Sequence, residues 1–137
     1  MHLNPPAQRH RRLWLLLGWG MVFSVVVLSL IPLDVDLQTG GDKIAHFIGY
    51  GSMTFWFAML FRGRGRQAGI AVAIAFAAMG VAIEFLQGLT DYRTFEVADM
   101  IANAVGATLG WGLAQTPIGS ALDWVERLLG LLPTRDR

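Results

Sequence analysis

The stretch Gln67–Leu89, QAGIAVAIAFAAMGVAIEFLQGL, decides the fold. A single ionisable residue, Glu84, interrupts it, with Gln87 near its end. Crossing a hydrocarbon core of about 30 Å takes roughly 20 apolar residues in a helix, and this run is of that length. Three more runs share its character. Leu13–Leu33 carries no charge, contains Pro32 near its end and is followed by Asp34 and Asp36. Ile44–Phe61 lies between Asp42-Lys43 and Arg62, and Val97–Ala114 begins with Asp99 and Asn103 and is stopped by Pro117. The expected fold class is therefore all-α, an integral membrane four-helix bundle. Composition agrees: 54% of residues are hydrophobic and 15% charged, with a mean hydropathy of +0.48, too apolar for a soluble globule. The 11 basic and 10 acidic residues nearly cancel, so no broad field points to a nucleic-acid partner. The absence of cysteine excludes disulfides and thiolate metal sites.

Arg9-His10-Arg11-Arg12 ahead of an apolar run has the layout of a signal peptide's basic region. The apolar part of such a peptide is ~7–15 residues and ends in small residues, whereas this run is longer and ends at Ile31-Pro32-Leu33. Residues 13–116 are thus expected to form one four-span domain, preceded by a basic arm at 1–12 and followed by a tail at 117–137. No internal repeat or second domain is visible.

Basic residues mark the cytoplasmic side of short membrane loops. Arg9, Arg11 and Arg12 precede the first run, Arg62, Arg64 and Arg66 fill the loop after the second, and Arg127, Arg135 and Arg137 lie in the tail. The other two loops hold only Lys43 and Arg93, together with Asp34, Asp36, Asp42, Asp91 and Glu96. Both termini are expected in the cytoplasm and the acidic loops outside. In the tail, Ile118, Ala121, Leu122, Val125, Leu128, Leu129 and Leu132 recur at spacings of three and four, with Asp123, Glu126 and Arg127 between them. That pattern predicts an amphipathic helix along the cytoplasmic interface, or alternatively a dimerising helix.

Ionisable groups inside a span cost about 2.5–3.5 kcal/mol each on insertion scales, so those present call for a reason. Lys43, His46 and Tyr50 are spaced three and then four apart, on one helical face; Glu84 and Gln87 are three apart; Asp99 and Asn103 are four apart. The second run enters from outside, the third exits there and the fourth enters again. At ~1.5 Å per residue, His46, Glu84 and Asp99 then share one level near the outer surface. Polar residues can also simply bond to one another and hold helices in register, which would suffice for Gln87 and Asn103 alone. The set as a whole points to a functional cluster. Ala102, Gly106, Gly110 and Ala114 form a small-residue stripe that permits close helix packing. The five tryptophans are expected at interfaces and packing positions.

The run Asp42-Lys43-Ile44-Ala45-His46-Phe47-Ile48-Gly49-Tyr50-Gly51, then Glu84-Phe85-Leu86-Gln87, Arg93, Glu96-Val97-Ala98-Asp99 and Asn103-Ala104-Val105-Gly106-Ala107 with Gly110, resembles the VanZ-like family across roughly residues 30–114. The positions that carry the resemblance are Lys43, His46, Tyr50, Glu84, Gln87, Arg93, Asp99 and Asn103. That family takes its name from an accessory glycopeptide-resistance protein linked to reduced susceptibility to teicoplanin, a lipid-bearing antibiotic. The resemblance implies the cell envelope and the bacterial inner membrane as setting, with antibiotic resistance a property of the namesake. It implies no defined reaction.

Three functions fit these residues. One is an external site for a membrane lipid, lipid-linked wall component or lipoglycopeptide, with Lys43, His46 and Arg93 meeting the headgroup and the two basic groups pairing with phosphate. Another is an enzyme using His46 with Glu84 or Asp99 as acid and base. A metal held by His46, Glu84 and Asp99 is a variant of the enzyme that no short ligand motif supports, so no metal or cofactor is expected. The third is a scaffold or homo-oligomer assembled through the Gly106/Gly110 face or the C-terminal helix. The charge pattern predicts that an alkaline phosphatase fusion at Gly40 is active; an inactive fusion would invert the topology.

Overall fold

The computed structural model describes residues 10–32 and 41–129. Among these the chain is wholly helical: α1 (Arg11–Leu30), α2 (Gly41–Leu60), α3 (Arg66–Gln87), α4 (Val97–Ala114) and α5 (Ala121–Leu128), with 3₁₀ turns at Arg62–Arg64 and Pro117–Ser120. α1, α3 and α4 are each long and apolar enough to cross a membrane. Their outward side chains need lipid: Leu16 and Phe23 of α1 are 70% and 71% exposed, and Ile74 and Leu109 are likewise open. The chain is a membrane protein. α2, the remaining expected span, has 20 residues but is less apolar, because Asp42, Lys43, His46, Tyr50, Ser52 and Thr54 dilute it.

The helix bounds follow local chemistry. α1 stops at Leu30 because Ile31 is extended, at ψ 147°, the conformation that a following proline imposes. Leu33, Asp34 and Asp36 lie outside the described residues. Gly65 separates α2 and α3 at φ +88°, a left-handed conformation that a side chain would resist.

α2 is the centre of the bundle and touches α1, α3 and α4. Its inward stripe, Tyr50, Met53, Thr54 and Phe57, is almost wholly buried. α1 runs antiparallel to it, with Trp56 Nε1 donating to the Trp14 carbonyl at 2.9 Å and Val25 packed beside Gly49. α4 runs parallel to α2 and antiparallel to α3, its Trp111 lying against Gly69 and its Asn103 against Gly80. The α2–α4 contact is backbone on backbone. A Cβ on Gly106 would collide with the Phe47 carbonyl oxygen, and one on Gly110 with that of Gly51. The small-residue stripe, also considered as a face for a second copy, is thus taken up by α2 of the same chain.

The tail departs from the single helix expected after Pro117. A 3₁₀ turn, tight enough that Gly119 abuts the Ala114 carbonyl, leads into the eight residues of α5; residues 130–137, with Leu132, lie outside the described residues. α5 docks through Leu122 and Glu126, both buried, while Leu128 and Leu129, expected on the apolar face, are exposed. Glu126 was expected on the polar side. It is buried because the Trp14 indole N–H donates to its Oε1 at 2.6 Å, a charge-assisted bond that offsets desolvation. Burial pushes the Asp123 carboxyl up, Glu126 adds to this, and Arg127 and Arg62 oppose it.

Two outcomes follow. Gly110→Val should force α2 and α4 apart and cost at least the ~1–3 kcal/mol of an overpacked core, read as a lowered midpoint of thermal unfolding in detergent. Glu126→Ala should release α5 and speed tryptic cleavage after Arg127 by about tenfold, since a hydrogen bond to a charged group is worth ~1.5–3 kcal/mol. Glu126→Gln, which still accepts from Trp14, should change it little. Because docking raises the Asp123 pKa, the docked tail binds a proton more tightly than the free one, so cleavage should slow as pH falls toward the carboxylate range.

Candidate functional site

Parallel packing brings the first turns of α2 and α4 to one level, and the last turn of α3 reaches the same level from the opposite direction. Lys43 lies at the rim. Its Nζ is 2.8 Å from Glu96 Oε2, 3.6 Å from Asp99 Oδ1 and 3.7 Å from Asp42 Oδ2. One turn deeper, His46 Nδ1 is 3.0 Å from Asn103 Oδ1 and His46 Nε2 is 3.6 Å from Asp99 Oδ2. Tyr50 follows in the same stripe and stacks on His46 at 6.4 Å between ring centroids and 16° between planes. Glu84 closes the third side, its Oε1 accepting the Glu96 backbone N–H at 2.6 Å and so tying the end of α3 to the start of α4.

His46, Tyr50, Glu84, Asp99 and Asn103 are all at least nine-tenths buried. Yet Tyr50 Oη, Glu84 Oε2, Asp99 Oδ1 and Asn103 Nδ2 have no hydrogen-bond partner, nor does Thr54 Oγ1 one turn below Tyr50. Glu126 Oε2 and Trp111 Nε1, toward the other end of the bundle, are open as well, so one such atom does not mark a site; each unmade buried hydrogen bond costs about 1–3 kcal/mol, and what sets the cluster apart is that several gather from three helices. Here donors and acceptors from three helices stay open over successive turns.

Six of the eight residues singled out in the sequence join this arrangement: Lys43, His46, Asp99 and Asn103 by direct approach, Tyr50 by stacking and Glu84 through Glu96. Gln87 is directed elsewhere, its Nε2 donating to the Ser29 carbonyl at 2.8 Å. With Tyr92, whose hydroxyl donates to the Leu30 carbonyl at 2.6 Å, it secures the end of α1. Arg93 is half-buried and pairs with no carboxylate among the described residues.

Asp42 and Glu96 belong to the site but had been read as loop acids. Their signal was adjacency: Asp42 precedes Lys43, and Glu96 stands immediately before α4. Gly80 is a silent contributor, because any side chain there would strike Asn103. Asp42, Glu96 and Asp99 bring ligand oxygens within 4.8 Å of one another, a spacing suited to a cation. The Lys43 ammonium stands among them and serves as that cation. The metal trio weighed from the sequence, His46, Glu84 and Asp99, is not the one that reaches ligand spacing.

On the outward side of the α2–α4 seam, directly below Lys43, runs an apolar groove of about 260 Å³ lined by Phe47, Gly51, Phe55, Gly106, Leu109 and neighbouring residues. Phe47, Gly51 and Phe55 follow Lys43 at four-residue steps, so the groove runs along α2 on the side that carries Lys43 one turn above it.

An uncharacterized protein of the fission yeast Schizosaccharomyces pombe is 37% identical to the chain over 71 residues, which cover 50% of the chain and 43% of that protein. The chain therefore spans less than half the length of this curated relative. No solved structure matches. The profile of the VanZ/LLP1 family matches residues 5–118, taking in α1 as well as the polar cluster, and the chain belongs to that family.

Proposed function

We propose that the protein spans the membrane with all four long helices and binds a membrane amphiphile, its headgroup held by the buried polar cluster and an acyl chain laid in the α2–α4 groove. The open polar atoms of Tyr50, Glu84, Asp99 and Asn103 carry this reading. They lie on successive turns of three helices, with an apolar groove along the same α2–α4 seam, and a ligand with polar and apolar ends satisfies both. A lipid-linked envelope component is the class that fits the family's setting. The loop-by-loop distribution of Lys and Arg supports an orientation with the cluster on the outer side of the membrane and both termini in the cytoplasm.

The electrostatics narrow the headgroup. Asp42 and Glu96 flank Lys43 at the rim, and Lys43 is already engaged by Glu96. Pairing of Lys43 with a phosphate, the simplest expectation from its position, would have to break that contact and bring an anion against several carboxylates. A headgroup that presents hydroxyl or amine donors meets Glu84 Oε2 and Asp99 Oδ1 directly. Any phosphate would be left to Arg93, which is unpaired among the described residues.

A second reading rests on His46. With Nδ1 donating to Asn103 Oδ1, Nε2 faces Asp99 Oδ2 at 3.6 Å and the two can hold a proton between them. This is the layout of an acid–base pair acting on a bound lipid.

Lipid mass spectrometry on protein extracted in native nanodiscs tests the first reading. Wild type should retain one headgroup class, and Glu84→Gln or Asp99→Asn should lower it by about tenfold, the weight of one hydrogen bond to a charged group, with helical circular dichroism unchanged. Identical lipid profiles in all three proteins would sink it. If the retained lipid is chemically changed on incubation with wild type but not with His46→Asn, the acid–base reading stands; if it is unchanged by both, binding alone remains.

A further inference from the structure

The end of the bundle away from the polar cluster carries a different concentration of charge. Arg11 and Arg12 open α1, Arg62 and Arg64 form the turn after α2, and Arg66 opens α3. Three of these guanidinium groups are held over aromatic rings. Arg66 lies 5.3 Å from the Trp111 ring centroid. Arg11 and Arg64, from different segments, converge on one ring, Phe61, at 5.5 Å and 5.2 Å. Every ion pair among the described residues involves Lys43 or His46, at the opposite end. Neither Arg11 nor Arg64 therefore has a carboxylate within pairing distance among them.

Like charges drawn to one ring without a counter-ion repel one another, and a cation–π contact of about 0.5–1 kcal/mol at an exposed site only partly offsets that. A guanidinium over a ring keeps its N–H donors in its own plane, free for an acceptor at the edge. Two such groups suit an anion with several acceptor oxygens, bound by charge-assisted hydrogen bonds. Position identifies the source of that anion. Arg11 begins a membrane-crossing helix, and Leu13, Leu16 and Leu17, within the next two turns, are exposed apolar side chains. A phosphate bound at Arg11 and Arg64 would lie at the hydrocarbon edge with an acyl path beside it. We infer that Arg11 and Arg64, gathered by Phe61, form a binding site for the headgroup phosphate of an anionic phospholipid.

This site is separate from the proposed amphiphile cluster and stands or falls independently of it. Native mass spectrometry on the full chain in detergent, offered phosphatidylglycerol and phosphatidylcholine with matched acyl chains, tests it. Wild type should prefer phosphatidylglycerol. Arg64→Gln should cut the ratio of the two adducts by about fivefold, the weight of one basic side chain at an anionic surface, and Arg11→Gln with Arg64→Gln should bring it near parity. Phe61→Leu keeps both charges but removes the ring that gathers them, and should also lower the ratio. Arg12→Gln, at the same end but off the ring, should leave it unchanged. No preference in wild type, no response to the double substitution or to Phe61→Leu, or an equal loss in Arg12→Gln would overturn the proposal, the last by showing diffuse charge rather than a site. Excess inorganic phosphate should not displace phosphatidylglycerol; displacement would make this a free-phosphate site and overturn the lipid assignment.

Discussion

The backbone contact between α2 and α4 is the constraint on which the rest depends. Glycine at 106 and 110 lets the helices approach until the Phe47 and Gly51 carbonyls meet the α4 backbone, a proximity at which packing and weak Cα–H···O contacts add up. The consequence is geometric. Because the two helices run parallel, close approach aligns their first turns, and only then does His46 reach Asn103 and Lys43 reach Asp99. Wider spacing would leave each polar group alone in apolar surroundings, where its cost is highest. The glycines thus do more than pack helices; they make the polar cluster tolerable.

The same alignment helps explain how so many carboxylates stand together. Parallel helices present two N-termini to one region, each carrying partial positive charge. Asp42 and Asp99 lie in the first turns of α2 and α4, and Glu84 accepts a backbone N–H at the start of α4. Helix termini and Lys43 together balance an acidic site that, among the described residues, has no second lysine or arginine within pairing distance. Such a site offers both roles, since its atoms without hydrogen-bond partners are the acceptors Glu84 Oε2 and Asp99 Oδ1, the donor Asn103 Nδ2, and the Tyr50 and Thr54 hydroxyls, which can do either.

Much of this was legible in the residues. Apolar runs carrying at most one charge located the long helices, because lipid penalises more, and α4 has the very bounds its sequence marks. The shared depth of His46, Glu84 and Asp99 followed from helical rise and alternating direction. What failed was whatever depended on a partner distant in sequence. Gln87 has the same spacing from Glu84 as true members of the cluster have from each other, yet helix rotation turns it to the Ser29 carbonyl. Glu126 reads as a solvated residue until Trp14, 112 positions away, supplies a donor. Asp42 and Glu96 sat outside the apolar runs and were counted as loop charges, although their neighbours were the reason to count them in. Periodicity within a helix is encoded locally; the azimuth at which helices meet is not.

The two ends of the bundle solve opposite electrostatic problems, and the difference bears on what each end can hold. At the cluster end, paired charges at the rim lie above buried polar atoms that are partly open, so a ligand must match the open atoms and pass groups that already have contacts. At the arginine end, the guanidinium groups rest on rings and lack carboxylate partners among the described residues. A ligand there gains contacts without breaking any. Selectivity belongs to the first arrangement, because exchange rewards only a headgroup that matches the open donors and acceptors. Retention belongs to the second, where charge and a nearby apolar path suffice. On the proposed function, selective and unselective binding are best kept apart. Placing the arginines a full helix length from the carboxylates does so, since at ~1.5 Å per residue an 18-residue helix separates them by roughly 27 Å, out of reach of any shared hydrogen bond or ion pair.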